Sequence, residues 1–253
     1  MSLDLIEITG EWAGRTEGIR ARLITGVDGR ELVQLKVDLG LLQMFPDDQP
    51  AGPDVPADVL AKLQAESRAG RPIAESLLAT LQRELAQFNF RRLALTVVAE
   101  EAIQSNDEAA ARRSLQRAIR DIEHCMAILD ALEVADTSAA QPHRALRPPL
   151  VFNHARLGSR LLESEERFAE AAEVADTGAG RLIDVLELFG YDPADCGNDP
   201  AVQFLRQNAD RLRGMAASED DPRVGLLRQA LAQEDFETAA RLRDELRRRA
   251  RDE

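Results

Sequence analysis

The chain has 253 residues, 44% of them hydrophobic and 30% charged, so it can bury a substantial core as one large or two smaller domains. Forty-five acids against 32 bases leave a net charge of −13, which repels a phosphate backbone and argues against general nucleic-acid binding. Eight Phe, one Trp and one Tyr are too few for a platform that stacks bases or sugars.

The opening residues, MSLDLIEITGEW, are interrupted by Asp4 and Glu7 and lack a basic start followed by an apolar run, so no secretory signal is expected. No stretch approaches the roughly 18 uncharged apolar residues that span a membrane, and a cytoplasmic protein without membrane contact is expected.

Residues 1–45 read as a small β unit. Ile19, Ala21, Leu23 and Thr25 alternate with Arg20, Arg22 and Ile24; Gly26 to Gly29 supplies an Asp-Gly turn signal; Val33, Leu35, Val37, Leu39 and Leu41 then alternate with polar residues. An isolated hairpin is marginal, so a further strand is expected from Leu3, Ile6, Ile8 and Trp12, or packing of the whole unit on helices. The run around Asp38 to Met44 is denser in apolar residues than a one-sided strand needs, which fits a strand buried in the core or an edge for a partner. Residues 46–56, rich in proline, read as a linker or exposed loop.

Residues 57–217 carry helical periodicity. Leu60 and Leu63 open a short helix ending near Gly70; Ile73 to Ile103 reads as one long helix; Ser105-Asn106-Asp107 turns and caps a second that runs antiparallel through Leu132. After a loop at Thr137 to Pro149 the arrangement recurs, with a helix from Leu150 to Leu162, a turn at Glu163 to Glu166 and a partner helix from Phe168 to Phe189. The small residues after each turn, Ala109 to Ala111 and Ala169 to Ala172, are similar to the close-contact position of tetratricopeptide repeats. The units recur at about 60 residues where that repeat has 34, so a helical bundle is the other reading. A closing helix follows from Asp199 to Met215, with Ser218 to Asp221 as a hinge.

Candidate chemistry is sparse. Cys125 and Cys196 do not have metal-ligand spacing, and a reduced thiol pair is expected. His124 lies beside Cys125, but neighbouring helical residues point apart, which fits a helix-surface pair and not a base and nucleophile. His143 and His154 complete no ligand pattern. The acidic run Asp192 to Asp199 lacks the spacing of a calcium loop and reads as helix capping before Pro200, with Asp199 as the cap. Glu100-Glu101 and Glu165-Glu166 read as solvated helix ends instead of paired catalytic acids. No phosphate loop, nucleophile elbow or cysteine knuckle is present, and no catalytic residue, metal or cofactor is expected.

The most distinctive segment is the last, residues 222–253. Leu226, Leu227, Ala230 and Leu231 fall on one side of a first helix; Glu234-Asp235 turns and caps; Phe236 opens a second helix and fills the hairpin mouth, with Ala239, Ala240, Leu242 and Leu246 at helical spacing. Acid-leading pairs such as Glu237/Arg241 add only ~0.2–0.5 kcal/mol each, so so short a hairpin needs another surface to cover its apolar stripe.

Through Asp235-Phe236-Glu237, Ala239-Ala240 and Leu242-Arg243-Asp244-Glu245-Leu246, this segment resembles the UVR motif, the hairpin through which subunits B and C of the bacterial excision-repair nuclease contact each other. The order of β unit, paired helices and terminal hairpin is similar to uncharacterised UVR-motif proteins of planctomycete-like bacteria. The activators of bacterial protein arginine kinase share the hairpin but carry zinc-binding cysteine pairs that are missing here, which sets that role aside. An ordinary charged terminal hairpin is the plain alternative.

The expected fold is therefore mainly α, with an N-terminal β unit, antiparallel helix pairs and a C-terminal helical hairpin. The resemblance implies a non-enzymatic adaptor that holds another protein, or its own copy in a homodimer, through Phe236, Ala239, Ala240, Leu242, Arg243 and Leu246, aided by a concave helical surface. An accessory DNA-repair factor touching nucleic acid through the C-terminal arginines is the second expectation, and an enzyme with a site assembled from scattered residues the third.

Overall fold

The computed structural model describes residues 19–38, 40–51, 59–135, 141–219 and 222–252. Among them a three-stranded antiparallel sheet precedes nine α-helices, which gives the mainly helical fold with an N-terminal β unit.

Strands β1 (Arg20–Thr25) and β2 (Glu31–Val37) form the hairpin that the alternation predicts. Their turn closes with Gly26 N–H on Arg30 O at 2.8 Å, and Gly29, at φ +79°, takes the left-handed conformation that the Asp-Gly signal demands. The single alternating run expected from Val33 to Leu41 breaks after Val37. The chain reverses at Asp38, and β3 (Gly40–Met44) pairs back on β2 with Val37 opposite Gly40. Residues 40–44 thus supply the third strand, while Leu3, Ile6, Ile8, Trp12 and Leu39 lie outside the described residues.

The register puts Ala21 opposite Leu35, Leu23 opposite Val33 and Met44 opposite Val33, so one face carries the apolar set. Arg22, Gln34 and Gln43 share the other face, where Arg22 Nε donates to Gln34 at 2.9 Å and Gln34 donates to Gln43 at 2.8 Å. The apolar face joins one continuous core with the first helices, so Val33, Leu35 and Met44 are core residues.

Helix α1 (Val59–Arg68) buries Val59 and Leu63. Helices α2 (Glu75–Gln104) and α3 (Glu108–Ala135), 30 and 28 residues long, form the central antiparallel pair, with Leu81, Leu85, Leu95, Leu115, Ile122 and Leu129 meeting between them. A 3-10 segment (Gln141–Leu146) leads into α4 (Arg147–Glu163), which begins three residues earlier than the apolar pattern indicated. Pro148 and Pro149 sit in its first turn, where a missing N–H costs nothing.

Helix α5 (Phe168–Leu188) returns along α4, the one-turn α6 (Pro193–Cys196) follows, and α7 (Pro200–Glu219) packs on α5. Ser218 and Glu219, read as hinge, still belong to α7; residues 220–221 lie outside the described residues. Gly178 of α5 crosses α4 so closely that a Cβ there would stand 2.1 Å from that of Ala155. Helices α8 (Pro222–Ala232) and α9 (Phe236–Asp252) form the terminal hairpin.

Five helices end in one way. At Gly70, Asn106, Glu166, Gly190 and Glu234 the chain turns left-handed, with φ between +58° and +85°. In each case the following N–H bonds the carbonyl five residues back, as Asp107 does to Ala102, Arg167 to Leu162 and Asp235 to Ala230. Three helix-turn-helix units, α2/α3, α4/α5 and α8/α9, therefore share one turn. The fourth residue of each returning helix is alanine: Ala111, Ala171 and Ala239. Ala111 and Ala171 are both buried, as the small-residue pattern after the turns predicts.

Residues 46–51, at the head of the segment read as a linker, are bound to the helices. Arg91 Nη1 donates to Phe45 O at 2.8 Å and also to Asp48 O, Arg120 to Pro46 O at 2.7 Å, and Arg117 Nε to Asp47 at 2.8 Å.

Candidate interaction surface

The terminal hairpin is built from its turn outward. Asp235 caps α9, its carboxylate accepting the Thr238 N–H at 3.1 Å, and the hydrogen bonds of Thr238 hold its carboxyl below the ordinary range. Ala230 on α8 and Leu242 on α9 are buried, and Leu227, Ala240 and Glu245 are half-buried, so the two helices close on a thin apolar seam. Beyond that seam, α8 makes only a small contact with α7.

Phe236 does not fill the hairpin mouth: 67% of it is exposed. Leu226 and Leu231 are exposed as well, so the four residues expected on one side of α8 divide between the seam, held by Leu227 and Ala230, and its two opposite flanks. The reason is helical phase: Phe236 and the buried Leu242 are six positions apart on α9, which sets them on different sides of that helix.

Of the six predicted contact residues, Leu242 belongs to the inside of the hairpin, Ala240 to its margin, and Phe236 and Arg243 to its surface. Arg243 is ion-paired with Asp244 at 2.9 Å. The side chains of Ala239 and Leu246 lie outside the described residues.

The residues weighed for chemistry fall in separate places. His124 Nε2 meets Glu84 at 2.7 Å and its ring lies on Phe88, centroids 4.1 Å apart. Cys125 points instead to the Leu85 carbonyl at 3.9 Å, and burial pushes its thiol up to about 12, so it is neutral and unreactive at neutral pH. His154 pairs with Glu123 at 3.2 Å. In the acidic run, Asp192 accepts the Ala194 N–H and Asp199 the Ala201 N–H, both as helix caps. Glu100 binds Arg156 at 2.9 Å, and Glu165 binds Arg167 at 3.1 Å. Among the described residues no three His, Cys, Asp or Glu side chains converge as metal ligands. No helix among them is long and apolar enough to cross a membrane.

One cluster went unread in the sequence. Glu84, Phe88 and Arg91 on α2 face Asp121, His124 and Cys125 on α3, giving a column of charges and rings inside the central pair. Its signal was a charged residue at helical spacing within each apolar face, Arg91 among Phe88 and Leu95 and Asp121 among Ala118 and Cys125.

No protein-family model, no curated protein and no solved structure matches the chain.

Proposed function

We propose that this chain is a non-enzymatic protein-binding adaptor acting in the cytoplasm, and that its C-terminal hairpin docks against a second helical hairpin. The observation that carries this is the exposure of Phe236, with Leu226 and Leu231 also exposed, on a hairpin whose turn and cap are formed. An open phenyl ring and two leucines on so small an element are apolar surface that association would cover. The UVR-like residues 235–246 point to the same use.

The occupant best matched to this edge is the same hairpin of a second copy. A two-fold axis would set Phe236 of one protomer against the same surface of the other and cover it on both. Contact with nucleic acid through the C-terminal arginines has less support, because Arg243 is engaged by Asp244 and the chain carries a net charge of −13.

The test compares the intact chain with one ending at Asp220, by sedimentation for self-association and by affinity capture for other partners. Loss of a dimer on truncation supports the second copy, and loss of a captured partner supports a hairpin from another protein. Identical behaviour of the two chains refutes the proposal. Steep loss of binding as salt rises would replace it with the nucleic-acid reading.

A further inference from the structure

The chain holds a second version of its terminal hairpin. Glu166, Phe168, Ala171 and Ala172 of the α4/α5 unit recur in α8/α9 as Glu234, Phe236, Ala239 and Ala240, and Val174 is matched by Leu242. The backbone repeats with the residues. Glu166 and Glu234 stand at φ +59° and +58°, and the next N–H donates to Leu162 O at 3.0 Å in one unit and to Ala230 O at 2.9 Å in the other. The last matched residue faces inward in both: a Cβ on Gly158 of α4 would stand 3.3 Å from Val174, and Leu242 is buried.

The two units differ in their cover. In α4/α5 a third helix lies on α5, where Phe168, Ala171 and Ala172 pack with Leu212 and Met215 of α7. Early residues of α5 meet late residues of α7, while Leu186 shares a cluster with Val202, so the two helices run antiparallel. Among the described residues α9 has a substantial contact with α8 alone. Its Phe236 is 67% exposed where Phe168 is half-buried, and its Ala240 is half-buried where Ala172 is buried. One exchange in the repeat states what a cover must accept. Ala175, one turn on from Ala172, is fully buried; its counterpart is Arg243, half of whose side chain is exposed.

We infer that α9 of a second copy takes the place on α9 that α7 holds on α5, running antiparallel about a two-fold axis beside Ala240. This rests on the hairpin dimer of the proposed function and names its arrangement. A two-fold axis across the helix supplies the antiparallel direction. Phe236, Ala240 and Arg243 follow at i, i+4 and i+7 and so share one side of α9. Phe236 precedes Ala240 by about 6 Å along the helix and Arg243 follows it by about 4.5 Å. Reversal about Ala240 therefore sets the ring of each protomer beside the guanidinium of the other, a cation against the negative face of an aromatic, and does so twice. At the centre Ala240 meets its own copy, where a small side chain lets the backbones approach. A helix from another protein would have to bring its own group to Arg243; α9 brings one by symmetry. The present bond of Arg243 to Asp244, at 2.9 Å, is an exposed ion pair of small worth and does not oppose the exchange.

The test places single cysteines in the full chain and follows covalent dimer under mild oxidation, beside sedimentation of the same proteins. Cys125 and Cys196 are buried, so the unaltered chain gives the background. Ala240→Cys should cross-link to its own copy across the axis, and Gln229→Cys, exposed on α8, should not. Arg243→Ala should weaken the dimer by about tenfold, as loss of a shielded cation–π contact on both sides does. A monomeric unaltered chain overturns the dimer reading and this arrangement with it. A dimer in which Gln229→Cys cross-links and Ala240→Cys does not, or in which Arg243→Ala changes nothing, leaves the dimer and overturns the arrangement alone.

Discussion

Asp121 and Arg91 close a two-pronged ion pair in the interior, Nε to Oδ2 at 2.7 Å and Nη2 to Oδ1 at 2.6 Å, with 0% and 1% of their side chains exposed. The guanidinium's remaining nitrogen, Nη1, reaches the Phe45 and Asp48 carbonyls, so one side chain joins α2, α3 and the segment after β3. Removing Asp121 leaves a buried cation without its counter-charge. Asp121→Ala is expected to lower stability by about 3–5 kcal/mol in urea denaturation and to speed amide exchange in residues 45–50. The double change Arg91→Met with Asp121→Leu should recover much of the loss, since a well-packed apolar pair avoids the desolvation of both charges. A double variant as unstable as Asp121→Ala would show that the carbonyl contacts of Arg91 matter more than the pair.

Gly178 and Ala155 set how closely α5 can approach α4. With a Cβ placed 2.1 Å from that of Ala155, Gly178→Ala forces the helices apart and is expected to cost about 1–3 kcal/mol, although alanine is the better helix former. Ala155→Gly in the same chain should restore part of the loss, giving a favourable coupling in a double-mutant cycle. Additive effects would place the cost in the helix propensities and not in the crossing.

Much of this architecture was legible because it follows from local rules. The 3.6-residue apolar period from Ile73 to Ile103 is long enough to leave one outcome, and Asp107, Asp199 and Asp235 announce helix starts through side chains that cap. The misreadings were tertiary or fine-grained. Val33 to Leu41 alternates without interruption, and only the pairing of Val37 with Gly40 shows where the strand folds back. Pro148 and Pro149 read as loop because proline is ambiguous between a loop and a first helical turn. Phe236 at a helix start looked like a plug, but the buried place on α9 belongs to Leu242, and which side of that helix faces α8 is set by tertiary packing. The Arg91–Asp121 pair joins positions 30 apart on different helices, and no local pattern brings them together.

Two of the left-handed helix ends carry glutamate where glycine would be at ease. Glu166 and Glu234 stand at φ +59° and +58° with their Cβ atoms strained against the backbone. Glu166→Gly is expected to stabilise the chain by about 1 kcal/mol in urea denaturation, the usual cost of that conformation for an L-residue less the entropy glycine loses on folding. Destabilisation would mean that interactions of the Glu166 side chain outweigh the strain.

Acid should loosen the helical core through Glu163 and Asp47. Burial pushes the Glu163 carboxyl up, but hydrogen bonds from Arg211 and Arg160 outweigh it and hold the group below its ordinary value of 4.5. Burial likewise raises Asp47, but the hydrogen bonds and charges of Arg117 and Arg120 together outweigh it, leaving the group below 3.8. For a carboxyl depressed in the folded state, the unfolded chain binds the proton more tightly. The stability these groups give is thus complete above their ordinary values and is lost as pH falls through the folded ones. The urea midpoint is expected to drop between about pH 5 and about pH 3, and the gap between the native chain and Glu163→Gln should narrow over the same range. A gap independent of pH would remove Glu163 from the acid response.

Phe236 and Leu242 separate the hairpin's binding edge from its own seam. Leu242 is 7% exposed and Phe236 67%, though both belong to α9. Leu242→Ser takes an apolar group from between the helices, so it should lower helicity by circular dichroism and weaken association together. Phe236→Ser alters a residue that is mostly open to solvent. It should leave the spectrum unchanged and weaken association by about tenfold or more, as removal of an aromatic anchor does at a small interface. Ala240→Glu, at the half-buried margin, should also abolish association with helicity nearly intact. Sedimentation and circular dichroism on the three variants decide the matter, and association that survives Phe236→Ser unchanged would move the contact off the hairpin's open edge.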